Sequence, residues 1–204
     1  MGKIHHSDVP QVVAFTQELL IRFNVDYNVE VASFAAVTWL VVEWANAKQP
    51  KFVGLLTGAV AGLVTVTPAA GYVSPATAVM IGIASGVICY YAVALKNRLG
   101  WDDALDVWGV HGVGGFLGIV CLGLFANKAW NPHVVTNGLF FGGGFGFLGK
   151  QLVAVTASSV WAFVFTYGML CLIDLITRVK VGGGIEEIGL DLGLHGESAY
   201  TDYL

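Results

Sequence analysis

Five segments, residues 29–47, 52–72, 75–95, 104–126 and 152–177, each run for about twenty mostly apolar residues. That is the length a helix needs to cross a hydrocarbon layer about 30 Å thick, where every backbone N–H and C=O must be bonded within the segment. Helices satisfy that condition without partners, so the pattern predicts an all-α fold: an integral membrane bundle of five transmembrane helices. Charged residues make up 12% of the chain and mean hydropathy is +0.72. Soluble domains carry roughly twice that charge. Glu30 and Glu43 sit near the ends of the first segment and shorten its apolar centre.

The connections at 48–51 and 73–74 are too short for anything but antiparallel neighbours. Lys48, Lys51, Lys96, Arg98, Arg178 and Lys180 fall on one side of the layer. Lys3, Arg22, Lys128 and Lys150 fall on the other. The basic excess marks the inner face, so the C-terminus is expected in the cytoplasm and residues 1–27 outside. The chain divides accordingly into a leader at 1–27, a membrane domain at 28–180 and a cytoplasmic tail at 181–204.

Residues 7–24 carry apolar Val12, Phe15, Leu19 and Phe23 opposite Gln11, Gln17, Glu18 and Arg22. They read either as a surface-lying amphipathic helix or as a leader without a role. The start is polar, with no apolar core of a signal peptide behind it. Residues 127–150 hold six glycines and no helical period, and read as an external loop that is partly re-entrant. Residues 181–204 are acidic and polar beyond a glycine hinge.

Small residues recur four apart: Gly54, Gly58 and Gly62; Gly82 and Gly86; Gly114 and Gly118. This spacing lets helix backbones approach closely in lipid, where packing drives association. Gly58, Gly62, Gly112, Gly114 and Gly115 are the expected close-packing positions.

The stretch "DALDVWGVHGVGGFLG" places His111 alone in an apolar, glycine-rich run, with no Asp, Glu, Lys or Arg between Asp106 and Lys128. At 1.5 Å per residue the imidazole lies about 12 Å into the layer. A polar group at that depth marks a path or a partner; the alternative is a neutral ring bonded to a neighbouring carbonyl. His111 is expected to face the bundle interior on the side of Gly115. Asp102, Asp103 and Asp106 form an acidic cluster at the helix start. Carboxylates there satisfy orphan amides and the positive end of the helix dipole; direct cation binding is the sharper alternative. Trp39, Trp44, Trp101 and Trp130 are expected as interfacial anchors, and Trp108 and Trp161 as packing residues.

The remaining chemistry is excluded by what is missing. A net charge of −4 gives no footprint for nucleic acid. Cys89, Cys121 and Cys171 stand singly in apolar runs, with neither disulfide nor metal spacing. No phosphate loop, metalloprotease helix or nucleophile elbow occurs. Neither an enzyme, a resident metal nor a cofactor is expected.

"DDALDVWGVHGVGGFLG", "GAVAGLVTVTPAAGYVSP" and "IGLDLGLHGESAY" resemble, in order, the signature stretches of the ammonium transporter family (Amt/Mep/Rh), and of its Amt branch in particular. The resemblance covers residues 31–200. It implies transport of ammonium or ammonia in the cell membrane by a trimer whose subunits each have eleven helices and their own pore. It also implies that His111 is the second of two pore-lining histidines. By the same resemblance Gly189, Asp191, His195, Gly196, Glu197 and Tyr200 belong to a cytoplasmic tail that couples subunits and contacts PII regulatory proteins. The family's first six helices have no counterpart here, and with them go the first pore histidine, the external aromatic gate and recruitment site, and a buried aspartate. Glu30 stands where the family has a small or apolar residue, and His5 and His6 do not replace the missing histidine. Two functions follow: a transporter part that conducts when its missing half is supplied, or a non-conducting relative that acts through its tail as a membrane regulatory or binding protein.

Overall fold

A computed structural model describes residues 26–131 and 134–198. Among them there is no strand. The order is α1 (Asp26–Ala47), α2 (Phe52–Val66), α3 (Pro75–Arg98), a π-helical turn (Trp108–Val113), α4 (Gly114–Phe125), a 3-10 turn (Leu139–Phe141), α5 (Gly144–Asp174), α6 (Gly183–Ile188) and a second π-helical turn (Asp191–His195). Contacts gather into two compact units, one ending at Val155 and one beginning at Thr156. The expected leader, with its amphipathic segment, lies outside the described residues up to residue 25.

In the first unit α1 lies in the groove between α2 and α3. Ala35 is fully buried there. A Cβ at Gly58 would fall 2.5 Å from Trp39 Cβ, and one at Gly62 would fall 2.8 Å from the Val31 carbonyl. From α3, Cβ atoms at Gly82 and Gly86 would meet the carbonyls of Val31 and Ala35 at 2.8 and 2.7 Å. Backbones this close require glycine. Trp39, expected at an interface, is instead 3% exposed in this groove, edge-on to Tyr90 with ring centroids 5.5 Å apart. Trp161, expected to pack, is 69% exposed and stacks on Phe165 one turn away.

Among the described residues, three helices are long and apolar enough to cross a membrane: Pro75–Arg98, the continuous Trp108–Phe125 and Gly144–Asp174. The second expected span is a shorter apolar helix, Phe52–Val66. Pro68 lacks an N–H and its ring collides with the carbonyl one turn back, so the chain leaves the helix through turns bonded Ala69 N–H to Val66 O and Tyr72 N–H to Ala69 O. α1 has 22 residues, length enough for about 33 Å, but Glu30 and Glu43 interrupt its apolar surface.

α5 starts at Gly144, inside the segment expected to be a loop. Glycine hides a helical period in sequence, and packing supplies what propensity lacks: a Cβ at Gly123 of α4 would sit 2.8 Å from Leu148 Cδ1. The connection before it is tied down. Asn127 N–H donates to the Tyr72 carbonyl and Gly138 N–H to the Ala126 carbonyl, while Asn137 Oδ1 accepts from Lys128 N–H.

In the second unit, residues 156–180 are exposed along the helix and beyond it. The tail is more ordered than the expected polar extension. Gly189 (φ +98°) and Gly196 (φ +67°) supply backbone conformations that close its two short turns. The Cβ of any side chain at Gly193 would meet Ile185 Cγ2 at 2.6 Å.

Candidate functional site

The helix carrying His111 begins with a built-in cap. Asp103 Oδ1 accepts from Val107 N–H and Oδ2 from Trp108 N–H, each at 2.9 Å. One carboxylate thus satisfies two orphan amides at the positive end of the helix. Its partial burial pushes the carboxyl group's pKa up; the amides of Trp108 and Val107 and the Lys96 ammonium push it down further, and the net displacement is downward. Asp106 adopts φ +57°, where aspartate is tolerated better than most residues. Its Oδ1 lies 2.6 Å from Lys96 Nζ. The acidic cluster therefore caps and pairs; Asp102 lies exposed beside it.

Trp108–Val113 is π-helical and joins directly to α4 at Gly114. Bonding from i to i+5 puts an extra residue into the turn, a distortion frequent at functional sites. In a regular helix His111 would share the face of Gly114 and Gly115, three and four residues on. Here the wider turn carries it away from Gly114. His111 is exposed and Gly114 is buried. The expectation that the imidazole faces the interior is not met within this chain: the helices present pack on the other side.

That other side is closely built. A Cβ at Gly114 would meet Thr65 Oγ1 at 3.1 Å and Cys89 Sγ at 3.4 Å, and one at Gly118 would overlap the Thr65 carbonyl. Gly109 presses on Val93 in the same way. Val110 is buried in a cluster with Trp39, Ala61, Cys89 and Val93.

Gly112 and Gly115 behave differently from the close-packing role expected of them. A Cβ at Gly115 would meet nothing within 4 Å, and one at Gly112 only Trp108 Cδ1 of its own turn at 3.7 Å. With His111 they make an open, small-residue strip along one side of the helix. Trp108, 39% exposed and edge-on to Trp101, stands at its acidic end.

In the tail, Gly189, Asp191, His195, Gly196 and Glu197 fall in or beside the second π-helical turn, where Glu197 N–H reaches the Asp191 carbonyl. Tyr200 lies outside the described residues. Among the described residues, no group of three or more His, Cys, Asp or Glu side chains is placed to hold a metal ion. Sequence reasoning counted Lys96 only toward orientation; it is a lysine 5% exposed whose ammonium fastens two elements. Its signal was a basic residue ten positions before an aspartate across a glycine turn.

A family model described as the Ammonium Transporter Family matches residues 27–200. The ammonium transporter of Bacillus subtilis (strain 168) is 41% identical over 177 residues, covering 86% of this chain and 43% of its own length. A putative ammonium transporter of Methanothermobacter thermautotrophicus is 40% identical over 170 residues, 83% of this chain and 42% of its own. Among solved structures, Mep2 of Candida albicans superposes with a TM-score of 0.72 at 36% identity, over 80% of this chain and 37% of that one. A protein described as a sensor Amt protein superposes with a TM-score of 0.75 at 27% identity, over 85% of this chain and 42% of its own. The chain thus spans less than half the length of each of these relatives.

Proposed function

Since the chain belongs to the ammonium transporter family, we propose that it forms the C-terminal part of a membrane conduit for ammonium or ammonia, with His111 lining the path. The observation that carries this reading is the open strip of His111, Gly112 and Gly115 on a helix whose opposite side is fully packed. An imidazole left uncovered in the middle of a bilayer is costly. Covered by the family's remaining helices, it becomes a polar group in a narrow channel bordered by glycine.

Neutral imidazole accepts a hydrogen bond from ammonium N–H at one nitrogen and donates at the other. It replaces part of the ion's water, and the glycines let the substrate approach backbone. Proton relay along the path takes a second ring, which the family's N-terminal helices supply. The chain moves its substrate without converting it and is not an enzyme. It assembles as the family's trimer, with membrane domain 28–180 and with tail 181–204 in the cytoplasm, where the tail meets a PII protein.

The test joins this chain to the N-terminal six-helix portion of the Bacillus subtilis relative and measures methylammonium uptake in liposomes. Saturable uptake by the hybrid that falls sharply in His111→Ala supports the proposal. Equal uptake by the His111→Ala hybrid, or full uptake by this chain alone, overturns it.

A further inference from the structure

Behind the histidine helix runs a hydrogen-bonded seam that joins Thr65, inside one of the motifs, to Ser85 and Cys89, outside them. Thr65, Ser85 and Cys89 are each 0% exposed. Thr65 Oγ1 lies 2.8 Å from the Ala61 carbonyl and 2.9 Å from Ser85 Oγ, and Ser85 Oγ lies 3.9 Å from Cys89 Sγ. A hydroxyl has one hydrogen. The threonine commits its own to Ala61, so Ser85 must donate to Thr65 and then accept from the Cys89 thiol. The order is therefore fixed: Cys89 to Ser85 to Thr65 to the Ala61 carbonyl.

We propose that Thr65 is a positioning residue for His111, holding the histidine helix in height and rotation through its hydroxyl against Gly114 and its carbonyl against Gly118. Gly114 and Gly118 are four residues apart, so they share one face. Two successive turns of α4 thus rest on a single residue of α2. Gly114 N–H also donates to the His111 carbonyl, which links the pinned turn directly to the histidine. The seam ties Thr65 to α3, so the support cannot rotate without breaking buried hydrogen bonds in a medium with no water to replace them. This inference rests on the proposal that His111 lines the path, and the two fail separately.

The experiment uses the full chain in lipid nanodiscs, with His111 ring-proton signals identified by their loss in His111→Gln. Thr65→Val keeps the volume and removes the hydroxyl; Thr65→Ser keeps the hydroxyl. Helicity is followed by circular dichroism. Thr65→Val is expected to move the His111 signals at unchanged helicity, and Thr65→Ser to restore them. In the hybrid transporter, Thr65→Val is expected to lower maximal methylammonium uptake roughly tenfold, with little change in the half-saturating concentration, the pattern of a misplaced group. Ser85→Ala, which removes the donor to Thr65 together with the acceptor for the Cys89 thiol and leaves Thr65 itself intact, gives a second route if Thr65→Val does not fold, and is expected to move the signals in the same direction. Unmoved His111 signals in a folded Thr65→Val or Ser85→Ala chain overturn the proposal, as does failure of Thr65→Ser to restore them. Shifted signals in a hybrid whose uptake is indifferent to His111→Gln uphold the positioning and sink the pore reading.

Discussion

Lys96 Nζ lies 2.6 Å from Asp106 Oδ1 and 2.6 Å from the Asp103 carbonyl, joining the last turn of α3 to the approach of the histidine helix. Lys96 is 6% exposed at its side chain and Asp106 28%. Removing one partner leaves a buried charge unpaired, which costs about 3–5 kcal/mol when both are fully buried. Because Asp106 is partly exposed, Asp106→Asn is expected to cost about 2 kcal/mol. Asparagine tolerates positive φ nearly as well as aspartate, so this variant isolates the charge. Asp106→Ala is expected to lose about 1 kcal/mol more from backbone strain. Detergent unfolding followed by circular dichroism checks both, and an alanine variant as stable as the asparagine one would count against the strain.

The glycines of one helix are expected to separate into two classes. Gly118→Ala places a methyl against the Thr65 carbonyl, which cannot move aside, and is expected to destabilise the isolated chain by about 1–3 kcal/mol. Gly115→Ala meets open space and is expected to leave the isolated chain as stable or stabilise it by up to about 1 kcal/mol. In the hybrid transporter the order reverses for function: Gly115→Ala narrows the strip beside His111 and lowers uptake although the fold is intact. Stability and methylammonium uptake measured on the same pair decide it.

The Asp103 cap gives a pH dependence with a definite sign. The carboxyl group's pKa is lowered on folding, so its stabilisation is complete above the unfolded aspartate value, near 4, and disappears as pH falls through the lowered folded value. Melting temperatures of wild type and Asp103→Asn are expected to differ by a constant amount above about pH 5 and to converge below about pH 4. A difference independent of pH down to about pH 3 would mean that the charge of Asp103 contributes nothing.

If the tail lies on the cytoplasmic face, as proposed from the basic excess beside α3 and α5, a cysteine at Ser198, in a chain whose exposed Cys171 is replaced by serine, is expected to react with impermeant maleimide only from that face. Retention of a PII protein is expected to be lost on deleting residues 185–204. Labelling from outside, or equal retention without the tail, would refute the respective claim.

Much of the architecture is legible without coordinates. The charge-poor segments announce membrane helices, the four-residue glycine spacing announces close backbones, and the family motifs identify the histidine. Helix ends were harder. Pro68 shortened α2, while glycines concealed the start of α5, because propensity is local and the contact between Gly123 and Leu148 is not.

What the sequence determined by itself lies in its composition and its motifs: a helical membrane chain, of one family, with a lone imidazole in a glycine-rich run. Only the tertiary structure decided which way the imidazole looks. Heptad-like counting places His111 with Gly114 and Gly115, yet the π-helical turn leaves His111 exposed and Gly114 buried. Only the fold brought Thr65, Ser85 and Cys89 together across twenty-four residues and set them behind that turn. The physical reason is common to both. A helix's register against its neighbours follows from how closely backbones can approach and which hydroxyls share a proton, and neither is written in the spacing along one strand of chain.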